Sequence, residues 1–282
     1  MAKPKSFSEL ARKRKDHWLP QGYLRGFIVP TRATRFRPLY CFDVRSRQWE
    51  ERSPKEIAYG KGFYDYAEGT DYSVATHPDS VFARLEREFP QVRDEMAANA
   101  FAHWEKHKEF LKEFMQMLRA RSPLAMRQQE AAARNVRAST VTHVSPDRKT
   151  ITLDSLEGRP LPEQAVRNFA IRKMLEDVQG GASWMNQLDW CLRYTDNESE
   201  GVSTTDQAVI VSASIRASQI TMDFLNHPDT LLVFPVCWQA CLFGSTRNFD
   251  KSYDRIDQKL LERIRSDQKR FADRLIISPA TF

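Results

Sequence analysis

The chain has 282 residues, 41% of them hydrophobic and 28% charged, with a formal net charge of +6 at pH 7. This balance is too apolar for a disordered chain, and the length allows one large domain or two closely packed ones. No uninterrupted apolar run approaches the roughly 20 residues of a membrane helix, and the opening MAKPKSFSELARKRKDHW is broken by charges where a secretory segment would be apolar.

Residues 1–15 read as a basic, frayed N-terminus or a short helix capped near Ser6 or Ser8. DHWLPQGYLRGF then sets His17 and Arg25 among Trp18, Leu19, Tyr23, Leu24 and Phe27. RPLYCFDV predicts a strand, and RSRQWEERS a turn with a partner strand. SPKEIAYG predicts a short helix start, with Ser53 as N-cap, Pro54 at the first helical position and Glu56 at the third. The glycine-punctuated KGFYDYAEGTDYS is placed in a loop.

From Pro78 the period changes. Val81, Phe82, Leu85 and Phe89 predict an amphipathic helix that Pro90 should break or restart. Trp104, Phe110, Leu111, Phe114, Met117 and Leu118 form the apolar face of the next helix, and Pro123 separates it from LAMRQQEAAARNV. Residues 78–137 are therefore expected to be the helical core. STVTHVSPDRKTITLDSLEG predicts a hairpin about SPDRK, and PEQAVRNFAIRKMLEDVQGG a helix from Pro162 to the glycine pair. Residues 189–282 are β-rich: LDWCLRYT, QAVIVSASI and TLLVFPVCWQACLFG, then a closing helix SYDRIDQKLLERIRSDQKRFA and a final strand DRLIIS. With no repeat or linker, the expectation is one α+β domain over 1–282, its helical middle packed against a mainly antiparallel sheet.

Cys41, Cys191, Cys237 and Cys241 lie in apolar contexts without paired CxxC spacing, so they read as buried thiols of a reducing compartment, and cytoplasmic residence is expected. Among the polar residues, His17 is suited to proton transfer, with a structural histidine bonded to a backbone carbonyl as the alternative. Arg119, Arg121 and Arg127 follow an apolar helical face and can clamp a phosphate or lock a loop. Asp206, where a Ser/Thr stretch meets an apolar strand, can hold a metal, orient a histidine, or form an Asx turn. Glu86 sits beside Leu85 at the edge of the core face. His103 and His107 share a helix face, but Trp104 stands where the zincin glutamate belongs. There is no G-x-G-x-x-G, Walker loop, G-x-S-x-G elbow or kinase signature.

HWLPQGYLRGF resembles the H-x-x-P-x-x-Y-L-x-x-F opening of the domain-of-unknown-function family 4238. SPKEIAYGKGFYDY, VFARLE, MQMLRARSPLAMR, STTDQAVIV and LLVFPVCWQACLFG resemble its later segments in order, with Lys61 and Gly62 where an asparagine is usual and Ala208 where a proline is. The resemblance brings no established activity. It implies that His17, Glu86, Arg121 and Asp206 recur together, as residues of an active site assembled by the fold do.

These readings lead to the expectation of an intracellular enzyme acting on a phosphodiester, a nuclease serving as a toxin or phage-defence effector. His17 transfers a proton, Arg121 and Arg25 hold phosphate charge, Arg119 and Arg127 contribute to phosphate or nucleic-acid binding, and Glu86 with Asp206 orients His17 or holds Mg2+ or Mn2+. The alternatives are a non-catalytic nucleic-acid-binding module and a structural or protein-interaction component. No membrane partner is expected.

Overall fold

Polar turns and apolar strands alternate through the N-terminal part of the chain, and the backbone follows them. The computed structural model describes residues 15–31, 39–66, 78–135, 140–144, 151–154, 161–198, 201–212 and 230–279. The reading of residues 1–14 as frayed or helical lies outside these, as does the turn SPDRK; Lys15 opens a strand. That strand, β1 (Lys15–His17), pairs antiparallel with β4 (Tyr59–Lys61), placing His17 opposite Tyr59. After it come helix α1 (Gln21–Leu24) and a 3-10 turn (Arg25–Phe27). Strands β2 (Leu39–Asp43) and β3 (Gln48–Arg52) form the expected hairpin, its turn closed by Asp43 Oδ1, which accepts the N–H groups of Arg45 and Ser46 at 2.9 and 3.1 Å.

The helix expected at SPKEIAYG is a single turn instead. Half of the capping box is made, Glu56 Oε2 accepting the Ser53 N–H at 2.9 Å. The chain then leaves helical geometry at Ala58, whose φ is 53°. Ile57 and Ala58 are buried and the Ala58 carbonyl accepts the Trp18 N–H at 2.9 Å. Strand pairing and burial thus override a local helix signal.

Helix α2 (Pro78–Ala98) runs through Pro90 without the expected break. An interior proline forfeits its bond to the carbonyl four residues back, here Glu86. Two things offset that loss: Phe82, Leu85, Phe89 and Met96 anchor both halves in the core, and the proline ring packs on Gly22, where a Cβ would lie 2.8 Å from Pro90 Cγ. A 3-10 turn (Trp104–His107) leads into α3 (Lys108–Ala120), and α4 (Pro123–Asn135) starts with proline in its first position while Ser122 Oγ accepts the Ala125 N–H at 3.2 Å. The hairpin β5 (Thr140–Val144) with β6 (Ile151–Asp154) is antiparallel as expected. Helix α5 (Glu163–Gln179) ends at Gly180, and Gly181 follows with a φ of 75° that suits glycine.

The C-terminal part supplies β7 (Asp189–Tyr194), β8 (Thr204–Thr205), β9 (Ile210–Ser212), β10 (Leu231–Cys237), β11 (Ala240–Ser245), β12 (Tyr253–Arg255), α6 (Gln258–Phe271) and β13 (Leu275–Ser278). The closing helix begins later than its sequence predicts. Tyr253–Arg255 lie alongside β7 in parallel, and the helix is capped by Asp257, whose Oδ1 accepts the Leu260 N–H at 2.7 Å.

Among the described residues, five strands form one sheet in the order β12-β7-β11-β10-β9, and four form another in the order β3-β2-β13-β8. Apart from the β12–β7 pair, the neighbours in both are antiparallel, and the helices pack on them: an α+β fold. The Phe89 and Phe114 rings of α2 and α3 stack 3.9 Å apart, and Phe114 meets Phe234 of β10 at 6.3 Å. Tyr23 completes this aromatic core. Its hydroxyl donates to the Pro235 carbonyl at 2.8 Å in one sheet and accepts from Thr204 Oγ1 at 2.8 Å in the other. A buried phenol here satisfies polar atoms of both sheets at once. Tyr23 and Phe27 are therefore core, Trp18 packs against it partly buried, and Tyr23 is packing rather than cleft.

Candidate functional site

Arg121 ends α3 with its side chain pointing into the protein, only 2% exposed. Its Nε donates to Tyr64 Oη at 3.0 Å, one terminal nitrogen donates to Glu86 of α2, and the other to the backbone carbonyl of His17. The guanidinium also lies over the Phe82 ring, 4.5 Å from its centroid. Removing this charge from water is tolerable because it meets a carboxylate, a hydroxyl and a carbonyl together. Arg121 thus gathers three distant stretches: β1, helix α2 and the turn around Tyr64.

The turn around Tyr64 is itself held from several sides. Asp16, buried beside His17 in sequence, accepts the Tyr64 N–H at 3.1 Å. Arg167 of α5 donates to the Phe63 carbonyl and pairs with Glu130 at 2.8 Å. Burial, partly countered by the Arg121 charge, pushes the Tyr64 phenol up to about 12. Tyr64 and Asp16 were not singled out from the sequence. The only signal for them was their position, Tyr64 in FYDY and Asp16 immediately before His17.

His17 is half-buried, its ring 5.6 Å from that of Tyr59. Burial holds its imidazole below the usual histidine range, a hydrogen bond to the Lys55 backbone works the other way, and the nearby Arg121 charge lowers it further. Nε2 is buried and has no hydrogen-bond partner among the described residues. The Lys55 bond therefore falls to Nδ1, and a ring donating there to a carbonyl carries its lone pair on Nε2. The structural alternative for His17, a bond to a backbone carbonyl, describes one nitrogen and leaves the other bare.

Glu86 reaches Arg121 with one oxygen while its side chain stays 36% exposed. His17, Glu86 and Arg121 are thus brought together, through the His17 main chain rather than its ring. Asp206 is not part of this group. It is 2% exposed, and its carboxylate accepts the N–H groups of Asp273, Arg274 and Leu275 at 3.0, 2.7 and 3.2 Å. Burial pushes the Asp206 carboxyl up to about 6, although the three amides favour its charged form. It is a staple at the start of β13, not an Asx turn; the local turn comes from Thr205 Oγ1, which accepts the Gln207 N–H at 3.0 Å.

The remaining arginines differ in availability. Arg119 lies 5.0 Å over Trp184, and burial holds its guanidinium below its usual range. Arg127 grips Asp273 with two bonds of 2.9 and 3.2 Å. Arg25 is exposed on its 3-10 turn. His107 pairs with Glu95 at 3.5 Å rather than with His103. Among the described residues no three His, Cys, Asp or Glu side chains form a group able to hold a metal ion. Glu86 is bound to Arg121, and both oxygens of Asp206 are taken by amides, so these two do not fit a shared Mg2+ or Mn2+.

Fold and site together define an α+β protein in which a buried arginine fastens a histidine-bearing N-terminal strand to a helical layer. The chain belongs to the family described as Protein of unknown function (DUF4238), which matches residues 15–280. No curated protein and no solved structure matches it. No helix among the described residues is long and apolar enough to cross a membrane.

Proposed function

We propose that the protein is an enzyme acting on phosphodiesters, a nuclease in which His17 is the proton acceptor. The observation that carries this reading is the bare Nε2 of a ring fixed by the Lys55 backbone, on a strand whose carbonyl is gripped by Arg121. A depressed imidazole is neutral at pH 7, and its buried Nε2 has to be uncovered before a substrate can hand it a proton. Arg121 is then a positioning residue that acts through β1, Glu86 shares its charge, and Arg25, exposed on its 3-10 turn, is the cation assigned to the phosphate in this reading. A net charge of +6 favours a polyanionic substrate. Four free, buried thiols support residence in a reducing compartment.

Incubation with single- and double-stranded RNA and DNA, in Mg2+, Mn2+ or chelator, tests the reading. Cleavage by wild type that falls about 100-fold or more in His17→Ala is the expected outcome. Intact substrate in every lane removes it.

A second reading is favoured by the burial and saturation of Arg121 and Asp206: these residues tie the N-terminal segment and β13 to the core of a non-catalytic binding or interaction protein. Salt-sensitive nucleic-acid affinity without any product, unchanged by His17→Ala, is its signature.

A further inference from the structure

Away from His17, the facing stripes of α2 and α3 and the end of α5 enclose a groove of about 480 Å³. That volume lies within the range of small-molecule sites. At its side lies Lys112, an α3 residue only 4% exposed whose ammonium donates to Glu109 Oε1 at 2.8 Å and Asn186 Oδ1 at 2.7 Å. An ammonium has three N–H donors, and these bonds use two of them. Arg84 of α2, exposed at the groove, divides its guanidinium between Glu88 and Glu113.

The charges of this groove alternate. Lys112 and Arg84 repel a simple cation, while Glu109, Glu113 and the negative C-terminal end of α5 at Gly180 and Gly181 repel a simple anion. Gly181 leaves its backbone uncovered, with no atom within 4 Å of where a Cβ would stand. Val81, Leu85 and Val178 add apolar surface to the same lining, beside the paired charges. The complement of such a lining is one small molecule that carries both signs and a branched hydrocarbon.

We propose that this groove binds an aliphatic α-amino acid, its carboxylate on Lys112 and Arg84 and its ammonium toward Glu109, Glu113 and the end of α5. The site is independent of the reading given to His17.

Thermal melting of the full chain with L-leucine or L-valine, and with isovalerate and isoamylamine as the two half-ligands, tests it. At about 10 mM the amino acids should raise Tm by roughly 2 °C or more, and neither half-ligand should do so. Arg84→Gln and Glu113→Gln lie on the exposed rim; each should leave the ligand-free Tm within about 1 °C and weaken the calorimetric Kd for L-leucine about tenfold. The proposal is overturned if neither amino acid shifts Tm, if a half-ligand shifts it equally, or if both variants bind L-leucine as tightly as wild type.

Discussion

The Arg121 region and the Asp206 region both bury a charge, and they satisfy it in different ways. Asp206 meets three backbone amides from one short stretch, with no cation among those bonds. Arg121 meets a carboxylate, a phenol and a carbonyl from three separate parts of the chain. The first arrangement is closed, since both oxygens are used. The second ends beside an imidazole nitrogen with no partner among the described residues. Burial alone therefore does not set the two regions apart; how completely the buried polar atoms are satisfied does.

The comparison is broken most forcefully at Arg121. Arg121→Met should cost about 3–5 kcal/mol in urea unfolding, because Glu86, Tyr64 and the His17 carbonyl all lose their donor. A cost below about 1 kcal/mol would show that the clamp does not hold β1. Asp206→Ala should cost about 2–3 kcal/mol by leaving buried amides without an acceptor.

The two regions should also respond to pH in opposite senses. The Asp206 carboxyl sits at about 6 in the fold, above its ordinary 3.8, so between these values the folded protein binds more protons than the unfolded one. Its contribution is favourable in acid and is lost as pH rises through about 6. His17 is depressed, so its contribution is present above the ordinary 6.5 and is lost as pH falls through its lower folded value. Wild type minus Asp206→Asn, and wild type minus His17→Gln, measured across pH 4–8, should slope in opposite directions. Equal slopes would erase the distinction.

Smaller effects sharpen it. His17→Ala should cost under about 1 kcal/mol, since the ring makes one hydrogen bond and one aromatic contact; a Tm loss of several degrees would favour a purely structural histidine. Arg127→Ala, which breaks a half-exposed pair with Asp273, should change stability by about 0.5 kcal/mol or less in the same unfolding assay.

Local pattern made much of the fold legible. The stripes Phe82–Leu85–Phe89 and Leu111–Phe114–Leu118 are helices with those faces buried, and LYCFD and QWEER are a hairpin. The failures share a cause. Pro90 is carried by Gly22, the turn at Ser53 is captured by Trp18 through Ala58, and Tyr253–Arg255 are extended by pairing with β7. In each, a partner tens of residues away outweighs the local preference. The grouping of His17, Glu86 and Arg121 followed from the family pattern, whereas the partners of Asp206 lie 67 to 69 residues downstream and could not be read from STTDQ. Tyr64 was hidden because a hydroxyl that completes a guanidinium's shell looks, in sequence, like any loop tyrosine.

One feature of the topology bears on how the protein comes into being. In the four-stranded sheet, β13 is the middle piece that joins β2 to β8, yet it follows both by at least 70 residues. On the ribosome, the β2–β3 hairpin and β8 must wait, with their hydrogen-bonding edges open, until residue 278 emerges. Chaperone engagement with nascent chains should accordingly persist at least until β13 is inserted.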